Sequence, residues 1–107
     1  MKLALLNTSI ATADGSYELK TISLEEARLL VAENKDNLDS AIGHKSTSEA
    51  MTELLGVRID MCRQEFKQQC GQSAIVFKLK GRPPEGAVLS KSQIDEIGYE
   101  FKLLTKL

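Results

Sequence analysis

Apolar positions along this chain follow two spacings, and the switches between them predict its elements. Residues 2–6 are apolar almost throughout, the pattern of a strand buried on both faces. Ala13-Asp14-Gly15-Ser16 carries a turn signal, because glycine takes positive φ at no steric cost. Residues 17–22 read as a short second strand. Ser23-Leu24-Glu25-Glu26 has the form of a capping box, with serine at the N-cap and glutamate three residues on. The helix it opens gathers Leu24, Ala27, Leu30 and Val31 at helical spacing, with Glu25, Arg28 and Glu33 elsewhere on its surface. The polar run from Asn34 to Asn37 ends that helix, and residues 38–42 form a third short strand.

A second capping box is read in Ser46-Thr47-Ser48-Glu49. It opens a helix running to about Leu55, with Met51, Leu54 and Leu55 on one face and Gly56 as its C-terminal stop. Residues 58–67 show no clear period, and residues 68–73 read as a loop. Residues 74–80 are the clearest strand, a continuous Ala74-Ile75-Val76-Phe77 followed by the alternation Lys78-Leu79-Lys80. A run of that kind predicts a central strand of a mixed sheet covered by helices. Residues 81–86 form a loop, Ser90-Lys91-Ser92-Gln93 starts a short helix, and residues 99–104 close as a strand. The expected class is α/β or α+β, a mixed central β-sheet flanked by helices. At 107 residues the chain is expected to form one domain spanning residues 1–107, only modestly stable alone.

Composition narrows the functional classes. With 42% hydrophobic and 27% charged residues, the chain has the profile of an ordinary globular protein. No apolar run approaches the roughly 20 residues of a membrane span, so no membrane association is expected. The first apolar run is too short for a signal-peptide core and lacks a cleavage site. Cys62 and Cys70, with no second pair, fit free thiols in a reducing compartment and hence a cytoplasmic location. The net charge of -1, from 14 basic and 15 acidic residues, lacks the basic surplus needed to wrap a long nucleic acid. A small phosphate-bearing ligand remains open, because it needs only a local positive cleft.

Three polar clusters could carry chemistry. His44, the one histidine, stands in Ile42-Gly43-His44-Lys45-Ser46-Thr47, where a strand gives way to a helix. Gly43 lets the backbone turn sharply and a ligand come close. The free N–H groups of the next helix favour an anion, and an imidazole carries a proton near neutral pH. A lone histidine at a strand end is otherwise a structural or surface residue, and sequence pattern alone favours that reading. The second cluster is Lys80-Gly81-Arg82-Pro83-Pro84-Glu85-Gly86. Here Arg82 offers a planar fork suited to phosphate oxygens, and Glu85 could orient it or meet a ribose hydroxyl. A surface ion pair in a tight turn reads the same spacing. The third cluster, Asn7, Thr8 and Ser9, could bind a ligand or cap a turn. One histidine, two separated cysteines and no acidic triplet do not compose a zinc or two-metal site. No phosphate loop, dinucleotide fingerprint or nucleophile elbow is present. No cofactor is expected.

These segments resemble a family of small proteins from archaeal viruses, bacteriophages and integrative elements, whose understood members are viral anti-CRISPR ring nucleases of type III systems. The resemblance lies in Asn7 after the first strand, in residues 42–47 and in residues 82–86. The tail from Val88 to Tyr99 also looks like the family's closing helix and strand. It implies cleavage of cyclic tetra-adenylate to linear di-adenylates with 2′,3′-cyclic phosphate ends, which would switch off type III CRISPR effectors. In that chemistry His44 would be the general acid, Arg82 would stabilise the transition state and Glu85 would assist. Asn7, Thr8, Ser9, Gly43, Lys45, Ser46 and Thr47 would hold the ligand. A lone histidine per chain and a symmetric ring further suggest a two-fold homodimer. The competing expectations are a non-catalytic cyclic-nucleotide sponge, a small DNA-binding regulator, or a purely structural partner of another protein. Tight binding without cleavage would mark the sponge, and a basic face the DNA binder.

Overall fold

The computed structural model describes residues 2–7, 14–80 and 91–107. Its strands are β1 (Leu3–Leu6), β2 (Tyr17–Ile22), β3 (Leu38–Ser40), β4 (Ser73–Leu79) and β5 (Tyr99–Lys106). Its helices are α1 (Leu24–Glu33), α2 (Lys45–Leu55) and α3 (Lys91–Ile97). The strands form one mixed sheet in the order β2-β5-β4-β1-β3. β1 lies between parallel neighbours, Leu5 opposite Ser40 of β3 and Ile75 of β4. β5 runs antiparallel to both β4 and β2. It reaches Lys106, beyond the stretch expected from sequence, because Tyr17 and Ser73 still find partners in its last residues.

Alternation along each strand sorts the apolar side chains onto two faces. Leu3, Leu5, Ile75, Phe77 and Phe101 join Ala27 and Val31 of α1, Met51, Leu54 and Leu55 of α2, and Ile94 of α3 in one core. The rings of Phe77, Tyr99 and Phe101 meet there, with Phe77 and Phe101 centroids 5.4 Å apart. Ser23 caps α1 as its spacing predicts. The serine hydroxyl accepts from the Glu26 N–H, and the glutamate accepts from the Ser23 N–H. Gly56 ends α2 at φ 73°, where a side chain would be strained.

The opposite face is covered differently. Ala4, Leu6, Ala74, Val76 and Leu104 form a second, smaller cluster to which, among the described residues, no helix residue belongs. The described helices therefore flank the sheet on one side, and Phe66, from the stretch that shows no period in sequence, packs on the other. Small side chains on this face leave a shallow layer, which an extended segment fills more closely than a helix would. Residues 57–72 form this strap, and side-chain hydrogen bonds satisfy much of its backbone and that of its neighbours. The buried Gln68 donates through Nε2 to the carbonyls of Gln72 and Leu104 at 2.7 and 2.8 Å. Gln72 Nε2 donates to the Lys2 carbonyl at 3.0 Å.

The start of α2 also needs correcting. His44, not Ser46, is its N-cap residue. The chain stays extended that far because the Ala41 N–H continues the ladder to the Leu5 carbonyl, and the strap's Cys62 N–H holds the Ile42 carbonyl. Ser46 lies within the first turn rather than at the N-cap position that the second capping box requires, and the Ser48 hydroxyl donates to the Lys45 carbonyl at 2.8 Å.

Candidate functional site

The parallel trio β4-β1-β3 ends on one edge of the sheet, and in open sheets of this kind ligands bind beyond the carboxyl ends of the strands. Past those ends come the half-buried Asn7, then Ile42, Gly43 and His44, then Lys80. The register carries this juxtaposition. Leu5 faces Ser40, and Leu6 faces Val76, so residues remote in sequence leave the sheet side by side.

His44 holds an extended backbone, φ -127° and ψ 128°, and its carbonyl accepts the Ser48 N–H at 3.1 Å. Its side chain makes no cap hydrogen bond and is exposed, so the imidazole is not spent on closing the helix. The opening N–H groups of α2, from Lys45, Ser46 and Thr47, have no partners within the helix, and the helix dipole adds partial positive charge there. Lys45 is exposed and Thr47 half-buried. Gly43 is not left-handed, and a Cβ built on it would meet Arg63 Cγ at 3.6 Å, an ordinary contact. The expected sharp turn at Gly43 is thus not what its backbone provides.

Sequence reasoning missed Arg63. Its Nε donates to the Gly43 carbonyl at 2.9 Å, which places a guanidinium beside the residue that precedes His44. Gln64 Nε2 donates to the Ser40 carbonyl at 2.6 Å and to Asp39 Oδ1 at 3.0 Å. Ser40 Oγ in turn donates to the Asp60 carbonyl. The strap thereby fixes the path of residues 39–43 as they approach the site. An aperiodic segment gives no sequence signal for such a contact beyond the presence of an arginine. Arg82, Glu85, Thr8 and Ser9 lie outside the described residues, and so does the side chain of Ser46.

A groove of about 590 Å³ runs between α2 and residues 58–61. Lys45 lines it, but His44 and Asn7 do not, so it is separate from the edge where His44 stands. Among the described residues, no three or more histidine, cysteine, aspartate or glutamate side chains converge as a metal site would require. Cys62 and Cys70 are free and exposed. No helix among the described residues is long and apolar enough to cross a membrane.

The fold and this edge define a small α+β protein with a polar site at the carboxyl ends of three parallel strands. The chain belongs to the STIV B116-like family, whose model matches residues 3–101. It is 36% identical to protein YddF of Bacillus subtilis (strain 168) over 107 residues, covering 100% of this chain and 99% of that one. It is 32% identical to ORF117 of Acidianus two-tailed virus, covering 98% of this chain and 93% of that one. The solved structure of B116 from Sulfolobus turreted icosahedral virus superposes with a TM-score of 0.79 at 27% identity, covering 98% of this chain and 99% of the other. Viral proteins thus stand among its relatives.

Proposed function

We propose that this protein is a metal-independent ring nuclease that cleaves cyclic tetra-adenylate and so silences type III CRISPR effectors. The observation that carries the reading is the exposed His44 imidazole at the start of α2, on the edge where three parallel strands end. The ribose 2′-oxygen attacks the adjacent phosphorus, the bond from phosphorus to the 5′-oxygen breaks, and His44 gives its proton to that leaving oxygen. The proton of the attacking hydroxyl passes to solvent water as the new bond forms, and Glu85 assists at the phosphorus beside Arg82. Arg82 balances charge on the five-coordinate phosphorus. Arg63, beside Gly43, supports the path of the chain into His44.

In-line attack needs three atoms nearly collinear, a geometry that a flexible ring seldom adopts. Holding it can contribute up to about 7–11 kcal/mol in the best model reactions. A positioned general acid adds roughly 10² to 10⁴ in rate. Two copies related by a two-fold axis would present two His44 side chains to opposite phosphates of the ring.

The test is incubation with cyclic tetra-adenylate, and with its six-membered homologue, in the presence of a chelator. The expected products are di-adenylates with 2′,3′-cyclic phosphate ends. His44→Ala should lower their rate of formation by about 10² to 10⁴ while binding persists. An intact ring bound tightly by the unaltered protein would replace this reading with a sponge. An unbound ring, with affinity for duplex DNA instead, would replace it with a regulator.

A further inference from the structure

We propose that Lys78 and Lys80 bind consecutive phosphates of the ring, so that the ring overlies the sheet face away from the helices. The placement rests on the nuclease reading and adds where the substrate lies. The alternation Lys78-Leu79-Lys80 gives β4 a polar end that the cleavage chemistry does not use. Leu79 packs against the helical core, and Lys78 falls on the face of Ala74 and Val76. Lys80 follows on that face one step past the strand, its N–H still donating to the Gly98 carbonyl at 2.9 Å. Both lysines are exposed, and both stand on the edge that carries Asn7 and His44.

Their charge is not spent within the protein. Glu100 lies directly opposite Lys78, where a cross-strand ion pair would form. Its carboxylate stands instead 3.7 Å from Lys102 Nζ, which also donates to Thr21 Oγ1 at 3.1 Å. Among the described residues, Lys78 and Lys80 have no ion-pair partner. Lys78, Lys80 and Lys102 thus share this part of the face with Glu100, a local positive surplus in a chain whose net charge is -1. Gly98 keeps Lys80 in line. A Cβ built there would meet Lys80 Cδ at 3.3 Å, so the lysine stem lies along the glycine where any side chain would displace it. Strand residues two apart on one face are separated by about 6.6 Å, close to the spacing of neighbouring phosphates along a nucleotide chain. Two cations so placed suit successive phosphodiesters rather than a single phosphate.

The test measures binding of cyclic tetra-adenylate to the His44→Ala chain, in which cutting is slowed, by calorimetry at several salt concentrations. Lys78→Gln and Lys80→Gln should each raise the Kd about tenfold, the loss of one charge-assisted contact. Each should also flatten the dependence of log Kd on log salt, because fewer counterions are released on binding. Lys78→Arg and Lys80→Arg should bind like the parent. Lys20→Gln, exposed on the helix side of β2, should change neither quantity. With His44 restored, the two glutamine variants should raise KM and leave kcat within about twofold, because a phosphate that is not cut is held equally in the ground and transition states. Far-ultraviolet circular dichroism checks that each variant is folded. A ring that binds regardless of both lysines, or a kcat that falls while KM holds, overturns the placement and leaves the nuclease reading standing. A ring that the unaltered protein does not bind overturns both.

Discussion

The two faces of the sheet are closed in different ways. On one, three helices bring large side chains onto Leu5, Ile75, Phe77 and Phe101. Burial there comes from helices whose apolar stripes are written into the chain with period 3.6. On the other, Ala4, Ala74 and Val76 offer little side-chain volume, and an irregular strap is tied down by glutamine amides. The first face is held by area removed from water, the second by directed hydrogen bonds whose loss exposes unpaired carbonyls. Stability should reside on the helical face, and the strap, which sets the path into His44, should be the readier of the two to open.

This contrast predicts a graded series. Phe101→Ala, which empties the centre of the helical core, should cost about 3–5 kcal/mol in urea unfolding. A loss below that range would mean the helical face carries less of the stability than its packing implies. Gln68→Ala removes the donor to two carbonyls under the strap and should cost roughly 1–3 kcal/mol. Native-state hydrogen exchange should then show the Cys62 and Gly71 amides opening before those of β4, and uniform exchange would erase the distinction between the faces. Arg63→Ala should change stability least, within about 0.5 kcal/mol. It should nonetheless slow ring cleavage on the order of tenfold or more, because the chain entering His44 loses its anchor. If Arg63→Lys, with no planar fork, cleaves as well as the unaltered protein, the anchoring role at Gly43 is lost.

Legibility in the sequence follows the same division. β2, the Ser23 capping box, the apolar stripe of α2 and its Gly56 stop, and the central β4 all follow from local periodicity and cap chemistry. The start of α2 does not, because Ser46-Thr47-Ser48-Glu49 satisfies the local rule while tertiary contacts at Ala41 and Ile42 decide the outcome. Nor does the strap, whose glutamines and arginine act through partners far away in the chain. The edge position of Asn7 and His44 was half legible. Strand ends could be read locally, but their adjacency depends on β1 pairing in parallel with β3 and β4.

That pairing pattern also bears on how fast the protein reaches its native state. β2 joins β5 through partners near opposite ends of the sequence, and β1 must find β4 across both intervening helices. Among the described elements, the three helices use residues close in the chain, and the β4–β5 pairing is the next most local. The entropy of closing long loops therefore falls due before most of the sheet rewards it. Folding is expected on the millisecond-to-second scale of proteins dominated by non-local contacts, rather than the microseconds of a helical bundle of equal length.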